Sequence, residues 1–295
     1  MYHGWLNVDK PEGMTSADMV SVMRRVFSMK KIGHAGTLDP MATGVLPLAF
    51  GEATKTVRFM QELNKEYYFT VKFGAATDSF DRLGKVTKIT ESVPSFDLIQ
   101  DILKFFIGEI DQVPPKFSAI MVNGVRAYKK ARQGEDLQLS SRKIRIFELD
   151  LLSFSADVVE AEFRVVCSKG TYVRSLGHDI ALKLGSLGHL TALRRSKVGN
   201  FDQNNIKSIE KVKEMVHNEK IRLLSVDETF SDVPFINFSV HDEEKIRNGV
   251  SVKISQKDRM YLNQQEAFAK VGSKLIAIGR IDNDIFCPTR GFNFN

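Results

Sequence analysis

Only two cysteines, Cys167 and Cys287, occur in the 295 residues. They lie far apart and belong to no Cys-x-x-Cys pair, which argues against a disulfide framework and against a cysteine zinc site. Cys167 reads instead as a small buried hydrophobe. Long apolar runs are also missing. None approaches the roughly 20 residues that a membrane-spanning helix needs, and residues 1–11 show neither the basic nor the apolar stretch of a signal peptide. The expectation is a soluble, cytoplasmic protein with no membrane association. Internal repeats and low-complexity tracts are absent too. What remains is ordinary globular material, 43% hydrophobic and 26% charged, enough for one large domain or two.

The net charge of +6 is modest, but it is unevenly spread. Residues 116–145 hold eight basic residues (Lys116, Arg126, Lys129, Lys130, Arg132, Arg142, Lys143, Arg145) against Glu135 and Asp136, a local +6. Residues 164–197 hold seven (Arg164, Lys169, Arg174, Lys183, Arg194, Arg195, Lys197) against Asp179, again +6. The rest of the chain is therefore acidic by −6. Positive charge collected in two segments is the pattern expected if both meet a polyanion such as nucleic acid.

Hydrophobic periodicity predicts a strand over residues 4–8 and a helix from Thr15 to about Lys30, where Thr15 and Asp18 have capping-box spacing. Residues 31–44 hold three glycines and a proline, and read as a loop. A buried strand (45–50), a helix (53–63), a strand (66–73), a polar loop (77–85) and a helix (96–107) follow. Alternation over residues 159–165 marks another strand, and Lys169-Gly170 turns it into a helix capped by Thr171 with an apolar stripe of Val173, Leu176, Ile180 and Leu184. This irregular interleaving predicts an α+β, mixed-sheet domain over residues 1–225. Short strand-like runs separated by turn residues predict a small all-β domain over residues 226–295.

The loop over residues 31–44 carries His34 and Asp39. Taken alone it is first of all a turn, since Asp-Pro opens turns and glycine fills them. Glycine-rich loops also let a ligand approach the backbone, which is where catalytic groups concentrate. Arg174 falls in the first turn of the helix after Gly170, where the helix dipole disfavours a cation by roughly 0.3–1 kcal/mol. It should either reach solvent or pair with a carboxylate.

Gly33-His-Ala-Gly-Thr-Leu-Asp-Pro-Met-Ala-Thr-Gly44 resembles the signature loop of TruB-type tRNA pseudouridine synthases, which modify uridine 55 of the T-loop. The likeness extends to Asp9-Lys-Pro-Glu-Gly-Met-Thr-Ser16, Lys65-Glu-Tyr67, Gln112-Val-Pro-Pro-Lys-Phe-Ser-Ala119, Ser168-Lys-Gly-Thr-Tyr-Val-Arg174 and Leu193-Arg-Arg195, six blocks in the family's order. The tail is similar in size and pattern to that family's C-terminal PUA domain. The resemblance implies that Asp39 is the catalytic aspartate and Arg174 its partner. Tyr67 would stack on the target base, with Tyr172 and Leu193 completing the uracil pocket. His34 would fill the space that the extruded base leaves. The basic insertion, about residues 112–146, would grip the tRNA T-arm through Lys129, Lys130 and Arg132. It implies no cofactor, no metal and no obligatory protein partner for a monomeric enzyme. His34 and Asp39 alone are also too few ligands for a metal.

The chemistry is consistent with these residue types. The bond from ribose to uracil nitrogen must break, the base must turn, and carbon 5 must bond to the ribose. A carboxylate serves by covalent addition or by removing the 2′ proton, and an aromatic face holds a base without fixing its edge. Two other readings of the sequence stay open: an RNA-binding or RNA-folding protein with an incidental pocket, and a guide-dependent relative acting on another RNA.

Overall fold

The computed structural model describes residues 2–135, 137–231, 233–262 and 264–294. Asp136, one of the two acidic residues in the first basic segment, lies outside them. The chain opens with strand β1 (Gly4–Lys10), helix α1 (Ser16–Val26), β2 (Ile32–His34) and β3 (Thr43–Phe50). Helix α2 (Val57–Glu62), β4 (Lys65–Phe73), β5 (Ala75–Thr77), β6 (Val86–Ile89), α3 (Phe96–Ile102) and β7 (Gly108–Gln112) follow. The hairpin β8 (Met121–Val122) and β9 (Val125–Arg126) leads through α4 (Ala127–Arg132) to β10 (Arg142–Ser155), β11 (Glu160–Cys167), α5 (Val173–Lys183), β12 (Gly188–Val198) and β13 (Phe201–Asp202). The last part comprises α6 (Ile209–His217), α7 (Val226–Thr229), β14 (Phe235–Asn237), α8 (Val240–Arg247), β15 (Val252–Lys253), β16 (Glu266–Val271), β17 (Lys274–Asp282) and β18 (Ile285–Gly291).

A nine-stranded mixed sheet in the order β1-β3-β12-β4-β11-β10-β7, with β2 on β3 and β13 on β12, forms the frame. In β4 the period of two is plain. Tyr67, Phe69, Val71 and Phe73 face inward, whereas Tyr68 and Lys72 are exposed. The inward set packs with Phe163 and Val165 of β11 and with Leu176 and Ile180 of α5 in one core. Strand β3 is buried on both sides. Leu46, Leu48 and Phe50 pack with Met19 and Met23 of α1, while Val45 and Ala49 join Trp5 on the opposite side. Both halves of the capping box at Thr15 and Asp18 form, so α1 starts where its sequence pattern places it.

Among the described residues, the only parallel pairing in the large sheet joins β3 to β12, at Thr43–Arg194 and Gly44–Arg195. A Cβ on Gly44 would lie 2.2 Å from the Arg195 carbonyl oxygen, and its φ is +102°, so glycine is required. This close approach sets the loop before β3 beside β12.

The C-terminal part forms a five-stranded sheet, β14-β16-β17-β18-β15. Helical pieces depart from the all-β pattern: α7, a 3-10 turn at Gln256–Tyr261, and α8, which covers that sheet with Ile246 in the small core. The first turn of α8 is polar, which hides it from a strand-weighted reading. The segment returns to the N-terminal part. Phe268, Leu275, Ile278 and Phe292 share a core with Trp5, Val198 and Phe230. At the rim, Glu52 is almost fully buried and takes hydrogen bonds from Lys31 Nζ and Lys55 Nζ, each at 2.5 Å, and from the Asn293 backbone N–H at 2.7 Å. Lys55 Nζ also donates to the Gly291 carbonyl at 2.7 Å.

Burial works against ionising Glu52, but the donors of Lys31, Lys55 and Asn293 outweigh it and hold the carboxyl at about 2. A folded-state value below the unfolded one gives stability that is complete above about 4.5 and fades as pH falls towards 2. The shift corresponds to roughly 3 kcal/mol at neutral pH as an upper bound. Replacing Glu52 by Gln should therefore lower Tm at pH 7 and cost progressively less as pH falls below 4.5, the difference vanishing only below about 2. Paired thermal melts across pH 2.5–7 check this; equal Tm losses at both ends would place the cost elsewhere.

Candidate active site

Residues 35–42 have almost no regular structure, so their shape must come from bonds to neighbours. Leu38 N–H donates to Ser16 Oγ at 2.9 Å, and Gly13 N–H and Lys10 Nζ donate to the Pro40 carbonyl at 2.8 and 3.3 Å. Arg195 Nη2 donates to the Gly36 carbonyl at 3.0 Å. The block 9–16 is thus the cradle of this loop. Lys10 is fully buried, and its ammonium also meets the carbonyls of Pro11 and Met14 at 2.9 and 2.6 Å. Burial brings its pKa down to about 8, partly opposed by the charge of Asp39.

Asp39 projects from this loop towards Arg174, the second residue of α5. The helix begins at an N-cap, Tyr172, that makes no side-chain cap bond. Thr171 does not cap it as the sequence pattern suggests. Its hydroxyl donates to the Ser168 carbonyl at 3.1 Å, and the Gln112 side chain takes over by accepting from Tyr172 N–H at 2.8 Å and donating to its carbonyl at 3.1 Å.

Arg174 is 3% exposed and does not reach solvent. Its Nη2 donates to Asp39 Oδ1 at 3.0 Å and to the Phe117 carbonyl at 2.9 Å. Its Nη1 donates to the Ser79 carbonyl at 2.9 Å and to Asp81 Oδ2 at 3.3 Å. Nε lies 2.8 Å from Asp39 Oδ2, at an angle that makes it an ion contact and not a hydrogen bond. Asp81 is itself buried, and its Oδ1 accepts from Ser79 Oγ at 2.8 Å and Leu83 N–H at 3.0 Å. One cation therefore serves two carboxylates. Asp39, with a third of its side chain exposed, is the carboxylate that a ligand can reach.

Tyr67 and Leu193 come from neighbouring strands and lie in one core with Leu38 and Met41, at 8% and 6% exposure. Burial raises the Tyr67 phenol pKa, opposed by the Arg195 guanidinium beside it. Tyr172 carries Arg142 over its ring at 5.4 Å. His34 ends β2. Burial, and then the charge of Arg195, lower its pKa, which favours the neutral imidazole, and among the described residues its Nδ1 has no hydrogen-bond partner. A cleft of about 290 Å³ is lined by Met41, Leu193, Arg194, Glu12 and Arg82. A larger cavity, about 770 Å³, lies between β1 and the C-terminal sheet and contains none of these residues.

Asp81 and Arg195 hold the site together although nothing local in the sequence marks them for it. Asp81 belongs to a polar loop, and Arg195 to a motif that gives it no separate role. The second basic segment also turns out differently from a polyanion-binding stretch. Arg164 is ringed by Glu66, Glu148 and Asp150, Lys169 pairs with Glu62, and Arg194 pairs with Asp9. Arg174 and Arg195 are buried. The first segment is more open. Lys129 and Arg132 on α4 are exposed, whereas Lys130 pairs with Glu135 at 2.8 Å.

Comparison with known proteins narrows the class in two steps. Across 99% of this chain, the fold matches a chain of an H/ACA RNP bound to a substrate RNA containing 2′-deoxyuridine, with TM-score 0.72, 21% identity and 85% of that chain covered. A chain of an archaeal box H/ACA Nop10-Cbf5 complex matches equally, with TM-score 0.72, 23% identity and 99% and 86% coverage. The fold is thus the one that these two chains share. Residues 24–173 match the TruB family pseudouridylate synthase N-terminal domain, and residues 174–230 the tRNA pseudouridylate synthase B C-terminal domain. The chain is 40% identical over 295 residues to tRNA pseudouridine synthase B of Ehrlichia ruminantium, covering 99% of each. It is 42% identical over 292 residues to that of Ruegeria sp., covering 98% of this chain and 96% of that one. This chain belongs to the TruB family of pseudouridylate synthases.

The way Arg174 is shared between two carboxylates generates a prediction. A lysine at this position reaches one carboxylate and leaves the other groups unpaired, because an ammonium has no planar fork. Arg174→Lys should destabilise the protein by about 2–4 kcal/mol, since a buried Asp81 is left uncompensated. Urea unfolding of the two proteins measures it, and a destabilisation below about 1 kcal/mol would mean that Asp81 needs no cation.

Proposed function

We propose that this enzyme converts the T-loop uridine of tRNA to pseudouridine, with Asp39 as the catalytic carboxylate. The observation that carries the reading is the pairing of Asp39 with a buried arginine that a second carboxylate also shares. In the reaction, the bond from ribose C1′ to uracil N1 breaks, the base turns, C1′ bonds to C5, and the proton lost from C5 is matched by one taken up at N1. Asp39 adds to the sugar or base, or removes the C2′ proton; in either role Arg174, bonded to Asp39 Oδ1, fixes how the carboxylate is presented. Tyr67 supplies an aromatic face for the turning base, Leu193 and Tyr172 its walls, and His34 a ring to occupy the gap in the T-loop.

The exposed cations of α4, Lys129 and Arg132 above all, hold T-arm phosphates, with Lys130 in a lesser part because Glu135 already pairs with it. The five-stranded C-terminal sheet is read as a PUA-like RNA-binding module, with residues 226–295 as its span. In this reading the chain acts in the cytoplasm as a monomer, with no obligatory protein partner. No helix among the described residues is long and apolar enough to cross a membrane.

Asp39→Ala should abolish turnover of unmodified tRNA transcript while affinity stays within about threefold, because phosphate contacts lie elsewhere. Turnover near the parental rate would remove Asp39 from its role; an equally large drop in binding would turn the reading towards an RNA-binding protein. The basic insertion is tested through salt. Replacing Lys129, Lys130 and Arg132 by Gln should weaken tRNA binding and flatten log Kd against log salt by roughly 0.7–0.9 for each phosphate that the variant no longer neutralises. Saturated turnover should change far less. An untouched salt slope would leave these cations as a solvated face.

A further inference from the structure

Arg174 is not the only residue of α5 that faces the loop carrying Asp81. One turn further on, His178 lies on the same side of the helix. Its imidazole is stacked on the ring of Phe80, with centroids 4.0 Å apart and planes inclined by 9°. Phe80 sits between Ser79 and Asp81, whose carbonyl and carboxylate both hold Arg174 Nη1. Its φ is +61°, a left-handed conformation that a bulky side chain adopts only when its surroundings fix it.

The backbone bonds show what the stack adds. Leu190 N–H donates to the Phe80 carbonyl at 3.0 Å, and Arg82 N–H donates to the Leu190 carbonyl at 2.8 Å. Both bonds end on one residue of β12, and the Arg82 side chain pairs with Glu12. On the α5 side, Arg174 Nη1 bonds to Ser79 and Asp81 but, among the described residues, nothing polar from α5 reaches the residue between them. The Phe80 ring, stacked on His178, adds that contact on the helix that carries the guanidinium. His178 contributes a flat apolar face: burial lowers its pKa, which favours the neutral ring, and Nδ1 lies 3.4 Å from the Gly188 carbonyl.

We propose that Phe80 and His178 are positioning residues for the reaction: their stack fixes Ser79 and Asp81 against Arg174, and so sets how Arg174 presents Asp39 to the substrate. The proposal rests on Asp39 being the catalytic carboxylate. Neither ring touches the reacting atoms. Their effect should appear in the chemical step, where small misplacements are costly, and not in RNA binding.

Single-turnover rates and tRNA affinities for four variants test it. Phe80→Ala and His178→Ala should each slow pseudouridine formation by about tenfold or more, with Kd for tRNA within about twofold. The double alanine variant should be about as slow as the slower single one, since both remove one interaction. His178→Phe keeps a ring on Phe80 and should recover at least about half of the parental rate. Asp39→Ala is measured alongside. Should it retain turnover, the catalytic reading itself fails, whatever the stack does. With Asp39→Ala inactive, parental rates in the two alanine variants overturn the positioning role alone. So does a slower rate that His178→Phe does not recover, or one matched by an equal drop in tRNA affinity.

Discussion

A guanidinium cannot lose its charge, so a buried arginine obliges the fold to surround it with acceptors. Arg174 imposes that obligation on three separate stretches of chain. Asp39 comes from the loop between β2 and β3, Ser79 and Asp81 from the loop after β5, and the Phe117 carbonyl from the base of the basic insertion. These stretches have little regular structure of their own. Each is held where it is because α5 places a fork of donors at the centre. The position near the start of α5 carries a dipole penalty for a cation, which the two carboxylates offset. Because Asp81 is buried and bonded on its other oxygen, it acts as the fixed counter-charge, and Asp39 is left as the carboxylate that solvent and substrate can reach.

The same logic explains why charge alone misleads over part of the chain. Two segments of equal net charge are legible in the sequence, but sequence does not tell which cations meet carboxylates from distant strands. Arg164 of β11 faces Glu66 on one neighbouring strand and Glu148 and Asp150 on the other, a consequence of cross-strand register. Arg195 is spent on the Val45 and Gly36 carbonyls. In the insertion the outcome is mixed: after the hairpin with its Asn123-Gly124 turn, Lys129 and Arg132 of α4 are exposed, whereas Lys130 pairs with Glu135 and Lys143 with Glu109.

Local patterns that depend on neighbours in sequence are legible. The capping box of α1, the alternation in β4 and β11 and the apolar stripe of α5 all follow from period and cap chemistry. The loop that carries Asp39 is legible only as a resemblance, since its shape comes from Ser16, Gly13, Lys10 and Arg195 and not from its own residues. Thr171 fails as a cap because a residue 60 positions from Tyr172, Gln112, supplies the amide that satisfies it. Asp81 has no local signal. A carboxylate in a polar loop is unremarkable until a buried cation is placed beside it.

A base cannot reach the Tyr67 face without some rearrangement. Tyr67 and Leu193 are buried in the protein as it stands, so a uracil ring meets that face only after the groups now packed on it shift. Extruding the base from the T-loop costs a few kcal/mol of stacking as well. In the proposed function both costs fall at the moment of binding and are met by contacts made elsewhere, which is the use proposed for the basic insertion. The insertion is joined to the site through the Phe117 carbonyl, which accepts from Arg174 Nη2 at 2.9 Å, so that its position and the geometry of Asp39 are linked through one residue. The strands that carry Tyr67 and Leu193 lie inside a nine-stranded sheet, whereas Asp39, Ser79, Asp81 and Phe117 stand in loops that meet at Arg174, so any rearrangement of those loops acts on the bonds of one guanidinium.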